Sequence, residues 1–420
     1  MFKKLLFAGA LASVFSAKSQ DMTYTSQVLD KLTSVELAGR GYVENGHLKA
    51  ATYIASEFEK AGLKKFEKTY FQNFSLEANI FPGAMEVQLQ KDIALKPGVD
   101  YIVGANSPSL KGCFNLVLID SSVVADEKKI KKMRQMDYTN EFIILDDSKV
   151  VLPEQKEFFK FFLQESWGAK GLILISDNKL TADIASTQGT TLVLHITRKA
   201  MQAANKVICV NIESEIAKVK TQNVVGYVSG TQYPDSFVVI SAHYDHLGKM
   251  GTATYFPGAS DNASGTSMLL NLAQYYAKNP AKYSVVFMAF SGEEIGLLGS
   301  MHYVENPLFP LKKIKFLFNI DIMGDAADGI TLVNGTVMTA EYNKITAIND
   351  AKKYIPSIQK RGEAAISDHY PFYTKGVSCF FAYSRGKITA YHDVNDTKAG
   401  LPLTNYQGCF QLFKDFIAAL

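Results

Sequence analysis

The 420-residue sequence is short of several things, and each shortage excludes a class of protein. It has four cysteines, Cys113, Cys209, Cys379 and Cys409, and no CxxC pair, which argues against a cysteine-ligated zinc site. It has no excess of one charge. Lys plus Arg number 44 and Asp plus Glu 41, and a net +3 is too near balance to argue for nucleic acid or a membrane surface. The densest basic run, Lys128, Lys129, Lys131, Lys132 and Arg134, follows Asp126 and Glu127 and reads as a solvated helix face. There is no internal repeat and no low-complexity tract. No apolar run approaches the roughly 20 residues a membrane span needs, so no membrane anchor is expected. What remains is ordinary globular composition, 47% apolar and 20% charged, in a chain long enough for one large domain and a smaller one.

The first residues read as a targeting segment. Lys3 and Lys4 precede a short apolar core at 5–15, and Ala17 and Ser19 occupy the small-residue positions of a cleavage site before Gln20 or Asp21. Residues 1–19 are therefore expected to be a signal peptide, and the mature protein a secreted or periplasmic, freely soluble one. Export permits disulfides. Pairing within each region, Cys113 with Cys209 and Cys379 with Cys409, stands beside the alternative of four buried thiols.

An amphipathic helix is predicted over 47–61, with Ile54, Phe58 and Ala61 at helical spacing and Gly62 as its stop. From about 76 to 215 the texture changes to short apolar strands at 115–120, 141–145, 171–175 and 191–196, with a Phe-rich helix at 154–164 among them. From Asn223 onward, strands at 237–242, 283–290, 314–320 and 378–383 alternate with helices such as 264–278. These strands are nearly continuous apolar runs, the pattern of parallel strands buried on both faces. The expected fold is α/β, a mostly parallel central sheet flanked by helices, built from 20–75 and 216–420, with an inserted smaller α+β lobe at 76–215.

In open α/β sheets ligands bind beyond the carboxyl ends of strands. The residues just past the strands here form a set: His243, Tyr244 and Asp245; then Asp261 before a helix; then Ser291, Gly292, Glu293 and Glu294; then Asp321; and, past the last strand, Tyr391, His392 and Asp393. Each alone has an ordinary explanation, such as an N-cap for Asp261 or a solvated turn for the Glu pair. Together, two histidines and three carboxylates suffice for two divalent ions with one carboxylate shared, and a glutamate is left over as a base. Imidazole and carboxylate favour zinc, with manganese or cobalt as substitutes.

The set resembles the M28 family of co-catalytic zinc peptidases. The resemblance rests on the segments Ser241-Ala242-His243-Tyr244-Asp245, Gly258-Ala259-Ser260-Asp261-Asn262-Ala263-Ser264-Gly265 and Phe290-Ser291-Gly292-Glu293-Glu294-Ile295-Gly296. Asn319-Ile320-Asp321-Ile322-Met323-Gly324, Ser367-Asp368-His369 and Tyr391-His392 extend it, as does the early Leu37-Ala38-Gly39-Arg40-Gly41. The lobe resembles, in position and texture, a protease-associated insert. The resemblance implies two zinc ions: His243 and Asp321 on one, Glu294 and His392 on the other, and Asp261 between them. It implies that Asp245 orients His243, that Glu293 is the general base, that Tyr391 polarises the scissile carbonyl, and that the Asp261–Asn262 peptide is cis. Asp368 and His369 are expected to be structural, and His246 and His302 bystanders.

The function implied is hydrolysis of terminal peptide bonds, with an aminopeptidase expected and a peptide as partner. A carboxypeptidase of the glutamate carboxypeptidase type is the alternative and would need a cation for the substrate's terminal carboxylate, for which Arg361 and Arg385 are the candidates. A glutaminyl cyclase would use one zinc, which the intact His243 and Asp245 argue against. A non-catalytic binding protein on the same fold should have lost ligands or the base, and none is missing. The lobe is expected to shape access rather than chemistry.

Overall fold

The computed structural model describes residues 20–90, 93–177, 179–201 and 206–420, without the side chains of 161–165; the expected signal peptide lies outside the described residues. Among the described residues no helix is long and apolar enough to cross a membrane.

The main sheet has eight strands in the order Phe71–Ile80, Glu215–Val228, Tyr283–Phe290, Tyr233–His243, Ile314–Asp321, Cys379–Arg385, Gly329–Val333 and Ile358–Lys360. The middle four, from Tyr283–Phe290 to Cys379–Arg385, run parallel, and both flanks are entered by antiparallel pairs. Side chains of a strand alternate between faces. Val238, Ile240, Ala242, Phe287, Phe316 and Phe318 enter the larger core beneath the helices Met22–Leu32, Gly46–Ala61, Gly265–Lys278 and Tyr406–Ala419. Val239, Val286, Met288, Phe290 and Leu317 enter a second core, which also takes Tyr303 from Leu298–Glu305 and Phe372 from His369–Thr374. Both faces are covered, which is why these strands are continuous apolar runs.

A second eight-stranded sheet is built from strands between Met85 and Ile212. It contains four parallel neighbours of its own: Leu110–Ile119, Glu141–Leu145, Gly171–Ser176 and Leu192–Thr197. One face is covered by short helices that bury Val124, Met133 and Phe159. The other packs Val87, Ile173, Leu194 and Val210 against Leu247, Met250 and Phe256, which belong to the segment following the main-sheet strand that ends at His243. The strand Phe71–Ile80 pairs with Glu215–Val228 along its whole length, so the expected division at 75/76 falls inside a strand of the main sheet. Cys113 and Cys209 lie opposite each other on antiparallel strands and are disulfide-bonded, whereas Cys379 and Cys409 are buried free thiols. Of the two pairings left open, only the first is made.

Candidate metal centre

The parallel register brings the strand ends together. His243 ends its strand level with Phe290, three residues before Glu293, and Asp321 ends the neighbouring strand opposite Tyr383. Asp261 sits in an irregular turn at 259–264, just before the helix that begins at Gly265. The Asp261–Asn262 peptide is cis, as the family resemblance implied. The Asn262 side chain ties this turn to the next strand: Nδ2 donates to the Ile320 carbonyl, and Oδ1 accepts from Gly265 and Ile322 N–H.

Two groups of donors result, each with atoms within 4.8 Å of one another: His243, Asp261 and Asp321, and His246, Asp261, Glu294 and His392. Asp261 belongs to both. Its Oδ1 is 3.2 Å from His243 Nε2 and its Oδ2 is 3.1 Å from His392 Nε2. His243 Nε2 also lies 3.3 Å from Asp321 Oδ1, and His392 Nε2 lies 3.0 Å from Glu294 Oε2. All five predicted ligands are thus brought together.

The supporting residues are buried and specific. A chain of hydrogen bonds from Ser241 through Asn319 and Ser367 ends on Asp321 Oδ2. Asp245 lies against the His243 ring. The nearest acceptor to His243 Nδ1 is the main-chain carbonyl of Asp245 at 3.3 Å, with its carboxylate at 3.7 Å. The carboxylate accepts from Glu293 and Glu294 N–H, fixing the turn that carries both glutamates. Asp396 accepts from Ser260 and Asp261 N–H and so aims the shared ligand.

Sequence reasoning missed three residues here. His246, expected to be a bystander, sits in the second group with Nδ1 2.6 Å from Glu294 Oε1. Its ring fills the space beside Gly258, where an added Cβ would fall 2.3 Å from it. Arg40 is fully buried and donates to the carbonyls of Leu32, Tyr244, Pro257, Gly258 and Asp261, pinning two site loops to the amino-terminal segment. Gly39 permits the approach, since a Cβ there would lie 2.4 Å from the Gly248 carbonyl oxygen. Asp396 is the third. The glycines flanking Arg40 were the available signal; nothing local marks His246 or Asp396. His302 stacks on Phe74 away from the site, as expected.

The donor set fits a divalent ion. His246 Nε2 and His392 Nε2 are buried without a hydrogen-bond partner, although carboxylate oxygens surround the latter. A lone pair aimed at carboxylates in a buried pocket suits a cation between them, and nitrogen plus carboxylate donors suit zinc. Burial and Asp261 push the Glu294 carboxyl up, but His246 and His392 outweigh them and hold it at about 2. Glu293 goes the other way: burial raises it, His243 opposes, and Asp368, Glu294 and Asp321 raise it further.

Glu293 lines a cavity of about 350 Å³ with His243, Asp261, Glu294, Asp321, Arg361, Ile366, Phe381, Tyr383 and Tyr391. Tyr391 is 44% exposed and stacks on the His392 ring. Arg385 is not part of this cavity, and its guanidinium bonds to the Asp328 carbonyl and Ser357.

Residues 223–417 match the model of peptidase family M28. Aminopeptidase YwaD of Bacillus subtilis (strain 168) is 31% identical over 162 residues, 37% of this chain and 34% of that protein. A glutamate carboxypeptidase 2 homolog of Caenorhabditis briggsae is 31% identical over 163 residues, 37% of this chain and 19% of that one. The chain therefore covers about a third or less of these curated relatives. Among solved structures, the zinc aminopeptidase BSAP from Bacillus subtilis aligns over 94% of both chains with a TM-score of 0.69 and 19% identity, a likeness of fold. The aminopeptidase from Aneurinibacillus sp. strain AM-1 aligns over 95% of this chain and 93% of that one with a TM-score of 0.64 and 18% identity. With its donors at the strand ends of this mixed α/β sheet, the part of the chain from 223 to 417 matches peptidase family M28.

Proposed function

We propose that this chain is a zinc-dependent exopeptidase that removes residues from the amino termini of peptides, using two ions. The observation that carries this reading is the pair of donor groups sharing Asp261, with Glu293 beside them in an open cavity. His243 and Asp321 would hold one ion, and Glu294 and His392 the other, with His246 steadying Glu294. Zinc held there would supply Lewis acidity and bring a water's pKa down toward neutrality. Glu293 takes the proton of the attacking water and returns it to the leaving amine, a task that calls for a carboxylate raised above its usual range and not consumed as a ligand. Tyr391, on the cavity wall, donates to the carbonyl oxygen as charge develops on it.

A second reading, carboxypeptidase, draws support from Arg361, whose place in the cavity wall suits a substrate carboxylate. Release of residues from peptides blocked at one end or the other tests both. Cleavage of peptides with a free amino terminus, and none when that amine is acetylated, is the expected result. Cleavage that depends on a free carboxyl terminus instead would replace the first reading with the second.

Export completes the proposal. The disulfide between Cys113 and Cys209 suits an oxidising compartment. Amino-terminal sequencing of the exported protein should begin at Gln20 or Asp21; a retained Met1 would remove that part. The lobe from Met85 to Ile212 is read as an inserted domain beside the cleft.

A further inference from the structure

The sheet register that aims His243, Glu294 and Asp321 does not reach His392. The last parallel strand ends at Arg385, and His392 lies beyond it on an irregular loop with φ of +53°. A segment of the lobe, residues 179–183, meets this loop. Lys179 Nζ donates to the main-chain carbonyls of Thr389 and Tyr391, both at 2.8 Å. The same ammonium lies 3.5 Å from Asp393 Oδ2 and 5.5 Å from the centre of the Tyr391 ring. The Ala182 N–H donates to the His392 carbonyl at 2.9 Å. In return, His392 Nδ1 donates to the Ala182 carbonyl at 3.0 Å, with Asp183 Oδ1 at 3.4 Å. The segment is itself tethered to the lobe, since Leu180 and Ala182 are buried in the core that contains Ile173 and Leu194.

The consequence for the imidazole is specific. A ring whose Nδ1 keeps its proton for a carbonyl presents the lone pair of Nε2, and Nε2 is the atom that faces Asp261 and Glu294. We propose that residues 179–183 of the lobe are a positioning element for the second donor group, fixing the tautomer and aim of His392 and holding Tyr391 beside it. This rests on the reading of His392 as a metal ligand. It gives the lobe a part in the chemistry beyond the shaping of access, although no ligand comes from the lobe's described residues. Lys179 and Asp183 act through His392 and are positioning residues.

The test uses the full chain and the double variant Lys179→Ala/Asp183→Ala. Both side chains are partly or largely exposed, 39% and 70%, so the fold should tolerate the change. Zinc is titrated into metal-free protein by calorimetry, and solvent exchange of the His392 Nδ1–H proton is followed by NMR with and without zinc, its signal identified by its loss in His392→Gln. The expected result is one binding phase weakened about 10- to 100-fold, the other within about two-fold, faster exchange of the Nδ1–H, and recovery on restoring Asp183 with Lys179→Arg. Unchanged phases with unchanged exchange would overturn the inference. So would equal weakening of both phases, which marks general loosening. Wild-type protein that binds a single zinc would sink the two-ion reading separately, and the exchange measurement would then decide the inference alone.

Discussion

The two halves of the molecule share a plan and differ in what their strand ends hold. Each has an eight-stranded sheet with four parallel neighbours, and carboxylates lie just past the parallel strands in both. In the lobe these are Asp120, Asp146 and Asp177. Asp120 caps a short helix through Ser122 and Val123 N–H. Asp146 and Asp177 are taken by Arg198, which comes after the fourth parallel strand and binds Asp146 at 2.7 and 2.8 Å. In the half that carries the match to family M28 the carboxylates meet His243, His246 and His392 instead. A guanidinium carries a fixed positive charge and only donors, so it consumes carboxylates. An imidazole can be neutral with a lone pair, so it leaves them to share a divalent cation. Position in the fold does not distinguish the two clusters; the partner residue does.

That contrast can be broken by substitution. The largest effect should come from Glu293→Gln, which keeps the shape and removes the proton acceptor. We expect turnover on peptides with a free amino terminus to fall about 10²- to 10⁴-fold while elemental analysis finds the zinc content unchanged. Near-normal turnover would remove Glu293 from its role.

Asp261→Ala removes the only residue common to both groups and should weaken both zinc-binding phases, each by about 10-fold or more. The matching change in the lobe, Asp146→Ala, should leave zinc binding as it was, and a shift in either phase would blur the contrast between halves. His246→Ala should weaken one phase about 10-fold and spare the other, since His246 touches Glu294 alone among the predicted ligands by hydrogen bond.

Breaking the disulfide should act on the lobe. It closes a loop with a sequence separation of 96 residues, and its removal by Cys113→Ser/Cys209→Ser should cost about 2–4 kcal/mol of lobe stability in denaturant unfolding. The smallest effect is expected from Arg198→Ala. Arg198 is 43% exposed, so the loss should stay under about 1 kcal/mol, with turnover within about two-fold. Its hydrogen bonds hold the Asp146 carboxyl well below the usual range, so the pair's stabilisation is present above about pH 4 and lost as the pH falls below it. The variant should lack that acid limb in its stability profile.

Much of the main-sheet half was legible from local pattern. The strand Tyr283–Phe290 was read to the residue, and Ile314–Asp321 and Gly265–Lys278 to within one at an end, because burial on both faces leaves a continuous apolar run and Asn279-Pro280 punctuates the helix. The residues past those strand ends were legible because topology sends them all to one edge. The strand Cys379–Arg385 runs two residues beyond its predicted end, since Tyr383 to Arg385 are only partly buried and break the apolar signal. The lobe's Leu110–Ile119 was half missed for the same reason: its residues alternate between exposed and partly buried.

The sequence by itself determined the chemistry available and its order along the chain: two imidazoles, three carboxylates and a spare glutamate after apolar strands. Local composition carries that much, because burial sets side-chain periodicity residue by residue. Which loops meet is another matter. That His246 joins Glu294 across 48 residues, that Arg40 reaches carbonyls more than 200 residues away, and that Ala182 faces His392 across 210 were decided only by the tertiary structure. Those contacts depend on where irregular backbone runs once two sheets have packed. A loop's path is set by the cores on either side of it, here the one that joins Leu180 and Ala182 to Leu247 and Phe256, and not by any pattern within the loop.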